Sequence, residues 1–113
     1  MRIVARLRGT CPDTNTCPTI HLSDRGTLVI QGYVIEPGTP LRSGEAAVEI
    51  PAVLLPELVA ADAPDGVHLT DRDTVVVAGR AVVDAGALAQ LRLPEGEAAV
   101  EIDLTTVPEL EGA

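Results

Sequence analysis

The chain has 113 residues, the size of one small domain, and 46% of them are hydrophobic, a fraction too high for a disordered polypeptide. The formal net charge is −9 and every basic residue is an arginine, which argues against nucleic acids and anionic membranes as partners and favours a basic protein surface. Phe and Trp are absent and Tyr33 is the only aromatic residue, so we expect an aliphatic core whose β-branched members favour strands.

The predicted organisation is a single domain over residues 1–113. An N-terminal strand and a cysteine-containing loop occupy 1–19, a first repeat 20–58, a linker 59–66 and a second repeat 67–110. No apolar stretch is long enough to span a bilayer, and no apolar segment of the signal-peptide type follows the N-terminal arginines. We therefore expect a cytoplasmic protein.

A tandem repeat is the strongest feature of the sequence. Residues 20–32 recur at 67–79, with an offset of 47 and seven identities in 13 positions. The phrase Gly-Glu-Ala-Ala-Val-Glu-Ile occurs at 44–50 and again, unchanged, at 96–102, with an offset of 52. Such self-similarity indicates that one structural unit is duplicated in the fold.

Each copy begins with a short apolar strand, continues through a polar Asp-Arg turn and enters a β-branched strand. A glycine, Gly32 or Gly79, interrupts this second strand and indicates a bulge, a bend or a tight hairpin. In the second copy Asp84 is placed to cap a short helix near 85–92, whereas a Pro-Gly-Thr-Pro segment precludes a helix in the first copy. The unit is β-β-(α)-β, and we expect a mainly β fold with two such units in a pseudo-twofold arrangement.

The last strand of each copy alternates apolar and acidic residues, which predicts one buried and one solvated face. The residues predicted to be buried are Val29, Val48, Ile50, Val76, Val100 and Ile102. The glutamates predicted to be exposed are Glu45, Glu49, Glu97 and Glu101. Because these glutamates are unchanged between the copies, they are candidate residues for binding a basic partner.

The second copy carries a resemblance to a known group of folds. Residues 79–102, with Leu-Ala-Gln-Leu-Arg-Leu-Pro-Glu-Gly-Glu at 88–97 and Val-Glu-Ile at 100–102, resemble the half-unit of cradle-loop barrels. That group includes double-psi β-barrels and swapped-hairpin domains of the AbrB type, whose units run from a strand through a short helix and a turn into a final strand. The resemblance implies a barrel built from two such units.

A second pattern covers more of the chain. It consists of Cys-Pro-Thr at 17–19, Asp-Arg-Gly-Thr at 24–27 and Gly-Glu-x-x-Val-Glu-Ile-Pro at 44–51. This pattern is similar to small uncharacterised proteins of high-GC actinobacteria, in which the unit usually occurs once and which often lie beside helix-turn-helix regulators. The resemblance implies a regulatory neighbourhood and brings no activity with it.

Cys11 and Cys17 lie in twin Thr-Cys-Pro phrases, and three interpretations remain open. They could form a disulfide or redox-sensitive pair, or bind a metal together with His21, for which zinc would need a fourth ligand. They could also be two thiols without a partner. His21 and His68 are equivalent in the two copies. We expect each to end a strand and to form a hydrogen bond with a nearby backbone group or acid, with a pH-sensitive or metal-binding pair as the alternative.

The duplicated polar turns, Asp24-Arg25 and Asp71-Arg72, have two interpretations. As structure, the aspartate closes an Asx-turn and the arginine forms a local ion pair. As function, the two turns present a paired acidic and cationic contact surface to a partner. The sequence favours the structural interpretation without excluding the second.

No catalytic signature is present. The sequence has no nucleophile elbow, phosphate loop or zinc-protease motif, and it also lacks the catalytic signatures of double-psi enzymes. We predict a non-catalytic, acidic interaction or regulatory protein that has no cofactor and binds a basic protein; self-association is compatible with the pattern. The alternatives are a metal- or redox-responsive module using Cys11, Cys17 and His21, and a double-psi-type enzyme.

Overall fold

The computed structural model describes residues 2–9, 18–35, 43–54, 67–70, 73–91, 93 and 95–103. Within these ranges the chain forms seven strands, one short α-helix and one turn of 3-10 helix, so the prediction of a mainly β fold with a helix near 85–92 is confirmed. The elements are β1 Ile3–Gly9, β2 Thr19–Ser23, β3 Thr27–Val34, β4 Glu45–Pro51, the 3-10 turn Ala52–Leu54, β5 Val67–Leu69, β6 Thr74–Ala81, α1 Ala85–Leu91 and β7 Glu97–Asp103.

The long strand of each copy pairs along its length with the last strand of the other copy. β3 runs antiparallel to β7 over residues 27–33 and 97–103, and β6 runs antiparallel to β4 over 74–80 and 45–51. The repeat offsets of 47 and 52 convert one register into the other. The two copies therefore exchange their last strands in the same way.

Each long strand also pairs, at its far end, with the last strand of its own copy. β3 pairs with β4 at Tyr33 and Val34, and β6 pairs with β7 at Arg80 and Ala81. The four pairings β3–β4–β6–β7–β3 form a closed circuit. β2 and β5 add to the outer edges of β3 and β6, and β1 adds to β2.

The larger hydrophobic cluster is aliphatic and collects alternate residues of these strands, as the period of two requires. All six residues predicted to be buried are buried, which confirms that part of the prediction. Four of the six lie in the larger cluster; Val29 packs in a second cluster with residues of α1, and Val76, 7% exposed, belongs to neither cluster. The larger cluster contains Ile20, Leu28, Ile30, Val48, Ile50, Leu54, Val75, Val77, Val100 and Ile102.

Helix α1 begins where the sequence predicts, because Asp84 caps it. The Asp84 carboxylate accepts a hydrogen bond from the Ala87 backbone N–H at 2.9 Å, and this bond lowers the pKa of Asp84. Ala87 and Leu91 are the buried residues of the helix and pack on Val29 of β3. In the described part of the chain, no helix is long and apolar enough to cross a membrane.

Gly32 and Gly79 lie within their strands, so of the three predicted alternatives the bulge and the tight hairpin are wrong. Both strands keep a continuous register through the glycine. The reason for the glycine is a close approach by another strand: a Cβ on Gly32 would lie 2.7 Å from the Glu49 carbonyl oxygen and 2.7 Å from Ile50 Cγ2. The equivalent position, Gly79, has the same restriction against Glu101 at 2.8 Å.

Candidate functional site at two strand junctions

Two equivalent junctions arise where a long strand lies opposite two other strands at once. At the first junction Tyr33 pairs with Glu97 of β7 and Glu49 of β4. At the second junction Arg80 pairs with Glu45 of β4 and Glu101 of β7. The repeat offsets superimpose the two sets, so each junction has two of the four repeated glutamates around one variable residue.

The second junction contains an ion cluster. Arg80 Nε lies 3.5 Å from Glu101 Oε1, and Arg80 Nη2 lies 3.7 Å from Asp103 Oδ1. Arg25 approaches the same Glu101 oxygen at 3.6 Å. Glu101 is 6% exposed, and the two arginines compensate its buried charge.

Glu101 is also the acceptor of a buried hydroxyl network. Thr27 Oγ1 donates to Glu101 Oε2 at 2.5 Å, and Ser23 Oγ lies 2.6 Å from Thr27 Oγ1. Because Thr27 has one hydroxyl proton and gives it to Glu101, Ser23 must donate to Thr27. The prediction that Glu101 lies on a solvated face is therefore wrong: the outer face of β7 is covered here, and Ala99 beside it is buried as well.

The first copy's last strand has the equivalent network. Thr74 Oγ1 donates to Glu49 Oε2 at 2.7 Å, and Thr70 Oγ1 lies 2.6 Å from Thr74 Oγ1. Glu49 is half-buried, so its predicted full exposure is also wrong. The repetition of glutamate at this position in both copies thus has a structural explanation, which is the acceptor role toward a threonine of the other copy.

At the first junction a tyrosine stands in place of the arginine. Tyr33 is 50% exposed and the next residue, Val34, is 60% exposed, so the end of β3 presents an apolar surface. Glu97, opposite Tyr33, is half-buried and accepts a hydrogen bond from Gln31 Nε2 at 3.1 Å. Glu45, at the second junction, is half-buried too, which corrects the predicted full exposure of these two glutamates.

His21, Gln31 and Glu97 form a polar chain on the outer face of the sheet. His21 Nε2 lies 3.2 Å from Gln31 Oε1, and Gln31 is fully buried. The Glu97 carboxylate needs a donor, which orients the Gln31 amide with its Nε2 toward Glu97 and its Oε1 toward His21. Since Oε1 only accepts, His21 carries its proton on Nε2. The role of His21 is a structural hydrogen bond, but its partner is the Gln31 amide rather than the predicted backbone group or acid, and it lies within β2 rather than at its end.

The imidazole of His21 is 4% exposed and lines an open groove of about 260 Å³ between β1 and α1. Burial lowers the pKa of His21 below the ordinary 6.5; the hydrogen bond to Gln31 opposes this shift and the positive charge of Arg6 adds to it. His21 is therefore a neutral imidazole near neutral pH.

Asp24 and Arg25 both make structural contacts, as predicted, but with partners other than the predicted ones. Ser23, rather than Asp24, closes the turn by accepting from the Thr27 backbone N–H at 3.3 Å. Asp24 accepts from the Arg2 backbone N–H at 3.0 Å, which lowers the pKa of Asp24 and fastens the start of β1. Arg25 pairs with Glu101 across the sheet rather than with its sequence neighbour.

Four of the candidate residues lie outside the described residues. These are Cys11, Cys17, Asp71 and Arg72, and the side chain of His68 is also outside them. Within the described ranges, no three His, Cys, Asp or Glu side chains come together in a group that could hold a metal ion. His21 enters the polar chain with Gln31 instead.

Four residues of the junctions were missed by sequence reasoning. Thr27 and Thr74 are identical at the repeat offset, and that identity was a usable signal for a shared polar role. Gln31, by contrast, corresponds to an alanine in the second copy, so nothing in the repeat marks it. Tyr33 stood out only as the single aromatic residue, and its position between two glutamates depends on strand pairing.

Comparison with known proteins gives no relative: the chain matches no protein-family model, no curated protein and no solved structure. The functional assignment therefore depends on the geometry of the junctions. Chemically, an internal arginine pairs with Glu101 at the second junction, whereas the first junction presents a half-exposed ring opposite two glutamates.

Proposed function

We propose that this chain is a non-catalytic, acidic interaction protein that binds a basic surface of a protein partner. One observation carries the proposal, the segregation of charge around the two junctions. The described arginine side chains are Arg2 just before β1, Arg6 on β1, and Arg25 and Arg80 around Glu101. Both residues that pair with Tyr33 across the sheet are glutamates. The whole chain also has a formal net charge of −9, which favours a basic partner.

The surface around the first junction has the composition of an interaction site. Exposed Tyr33 supplies aromatic area, and Glu95 of the adjacent turn and Glu97 at the start of β7 supply negative charge. Aromatic residues are enriched where proteins bind each other, and complementary charge accelerates encounter and sets specificity. A basic partner would gain both kinds of contact.

The test is affinity capture from a lysate of the source organism, followed by titration of the purified captured protein at low and high ionic strength. We expect the double variant Glu95→Gln/Glu97→Gln to bind more weakly, mainly through a slower association rate, and to show a smaller salt dependence. The control is Glu109→Gln/Glu111→Gln, which removes the same charge elsewhere in the chain. Equal loss of binding in both variants, or a captured partner whose binding ignores salt, would contradict the proposal.

A second candidate function, a redox-responsive pair, is favoured by the register at the end of β1. The last pair of the β1–β2 hairpin is Gly9 opposite Thr19, and each cysteine stands two residues beyond this pair, Cys11 after Gly9 and Cys17 before Thr19. Because the two cysteines are equally distant in sequence from the Gly9–Thr19 pair, a disulfide between them is compatible with the register of the two strands.

Alkylation with mass spectrometry tests this second candidate. Under mild oxidation both thiols should become protected together and be recovered together by a dithiol reductant. Independent modification of the two cysteines would contradict a redox pair. Zinc bound in stoichiometric amount to the untreated protein would favour the metal-responsive variant instead, in which His21 would have to exchange Gln31 for the ion.

A further inference from the structure

The two junctions have the same pair of repeated glutamates around different residues. At the second junction this pair surrounds Arg80, whose guanidinium lies 3.5 Å from Glu101. The first junction has both glutamates at the same register positions, but residue 33 is a tyrosine. The second junction thus contains an arginine from this chain. At the equivalent position, the first junction has the aromatic side chain of Tyr33.

We propose that the first junction is a receptor for an arginine side chain of the partner, which pairs with Glu97 and stacks on Tyr33. The inference depends on the proposed interaction function and names the group that this surface recognises. A guanidinium is planar, so it forms directed bonds to a carboxylate and stacks flat on an aromatic ring. A lysine ammonium is a compact, strongly hydrated point charge, which pairs with the carboxylate without directed geometry and contacts aromatic rings less often. The site should therefore prefer arginine.

The carboxylate of Glu97 is oriented in advance. Gln31, fully buried, donates to Glu97 Oε1, and its own position is fixed by His21. Among the described residues, Glu97 Oε2 accepts no hydrogen bond, and no described arginine forms an ion pair with this side chain. A ligand that meets a prearranged acceptor loses less conformational entropy on binding.

The apolar part of an arginine also has a place to bind. Tyr33 is 50% exposed and lies directly opposite Glu97, on the same face of the sheet. The methylene stem of an arginine can cover the exposed edge of the ring while its guanidinium reaches the carboxylate. Glu49 completes the junction on the other side, where its Oε2 is occupied by Thr74.

Binding at the first junction can be followed on the Tyr33 ring, because Tyr33 is the only aromatic residue other than the two histidines and its NMR signals are easily assigned. The full-length protein is titrated with capped hexa-arginine and hexa-lysine peptides while the Tyr33 ring is followed by NMR. We expect the arginine peptide to shift the ring signals and to bind about two- to five-fold more tightly than the lysine peptide, the range of an exposed cation–π contact. Binding of arginine peptide that leaves the ring signals unmoved would overturn the inference but not the interaction function.

Matched variants use the pseudo-symmetry. Glu97→Gln should abolish the ring shift, whereas Glu45→Gln, the same change at the second junction, should preserve it. Tyr33→Arg should supply the first junction with an internal arginine and remove peptide binding in a folded protein, as monitored on backbone amide signals. Equal binding by Tyr33→Arg and the parent, or equal effects of the two glutamine variants, would overturn the inference; failure of both peptides to bind the parent would overturn the interaction function as well.

Discussion

At the scale of single residues, the buried polar side chains of the described ranges are paired. In the described part of the chain, every buried side-chain nitrogen and oxygen has a hydrogen-bond partner. Glu101 has Thr27 and two arginines, and His21 has Gln31. Such pairing matters because an unpaired buried polar group destabilises the fold far more than one hydrogen bond stabilises it.

The threonine of each hydroxyl network should contribute to stability according to the burial of its glutamate. Thr27→Val removes the donor to buried Glu101, and we expect the free energy of unfolding to fall by about 1–3 kcal/mol. Thr74→Val should cost less, because half-buried Glu49 can recover a bond from water. Urea unfolding measures both variants, and equal costs would contradict the assigned difference in burial.

The titration of His21 follows from its burial. With a folded-state pKa below 6.5 and an unfolded value near 6.5, the unfolded chain binds a proton first as the pH falls. Stability should therefore decrease as the pH drops below about 6.5, and this part of the decrease should be absent in His21→Gln.

NMR titration of the two histidine rings checks this directly, with His21→Gln used for assignment. Nitrogen chemical shifts should also identify the Nε2–H tautomer that the Gln31 contact requires. A His21 ring that titrates at or above 6.5, or that has its proton on Nδ1, would show that the polar chain with Gln31 and Glu97 is wrong.

At the scale of elements, the strands are positioned by close backbone approach as much as by side chains. β3 and β6 each pass another strand at a glycine, and a methyl group at Gly32 would meet backbone and side-chain atoms at 2.7 Å. β1, in contrast, is an edge strand with two register shifts, beside Val4 and Leu7. Such bulges twist an edge away from further strand pairing.

Gly32→Ala and Gly79→Ala should each destabilise the protein by about 1–3 kcal/mol through overpacking at the strand approach. Gly86→Ala is the control, because it lies at an exposed position in α1, where alanine favours the helix by up to about 1 kcal/mol. Thermal unfolding distinguishes these outcomes. If all three alanine variants changed the stability by the same amount, the close approach at Gly32 and Gly79 would not explain why these residues are glycines.

At the scale of the whole molecule, the two copies are interdependent. β3 and β6 find most of their pairing in the other copy, and β3 meets its own β4 only at residues 33–34. A single copy would expose the edges of its long strand and the apolar residues of the larger cluster. This dependence between copies is a property of the pairing rather than of either repeat sequence.

Fragments 1–58 and 59–113 should therefore be unfolded when produced separately and should form the native sheet when mixed. Circular dichroism and the Tyr33 fluorescence of the first fragment measure the recovery, which should depend on the concentration of both fragments. A stable, folded first fragment on its own would contradict the exchange of β4 and β7 between the copies.

The sequence by itself determined the elements of this protein. The period of two in the last strands, the β-branched runs before Gly32 and Gly79 and the cap at Asp84 are local signals, and they depend on neighbouring residues only. For the same reason the aliphatic core residues such as Val48 and Val100 were predictable, because alternation determines which residues share a face.

The tertiary structure decided which strands pair and therefore where the polar residues lie. Glu101 and Glu97 read alike in sequence, yet one is buried beneath Thr27 and two arginines and the other stands beside the exposed ring of Tyr33. The role of Gly32 and Gly79 also could not be predicted, because it depends on the close approach of a strand that is distant in sequence. Contacts between distant segments depend on registers that local periodicity cannot specify, and both junctions consist of such contacts.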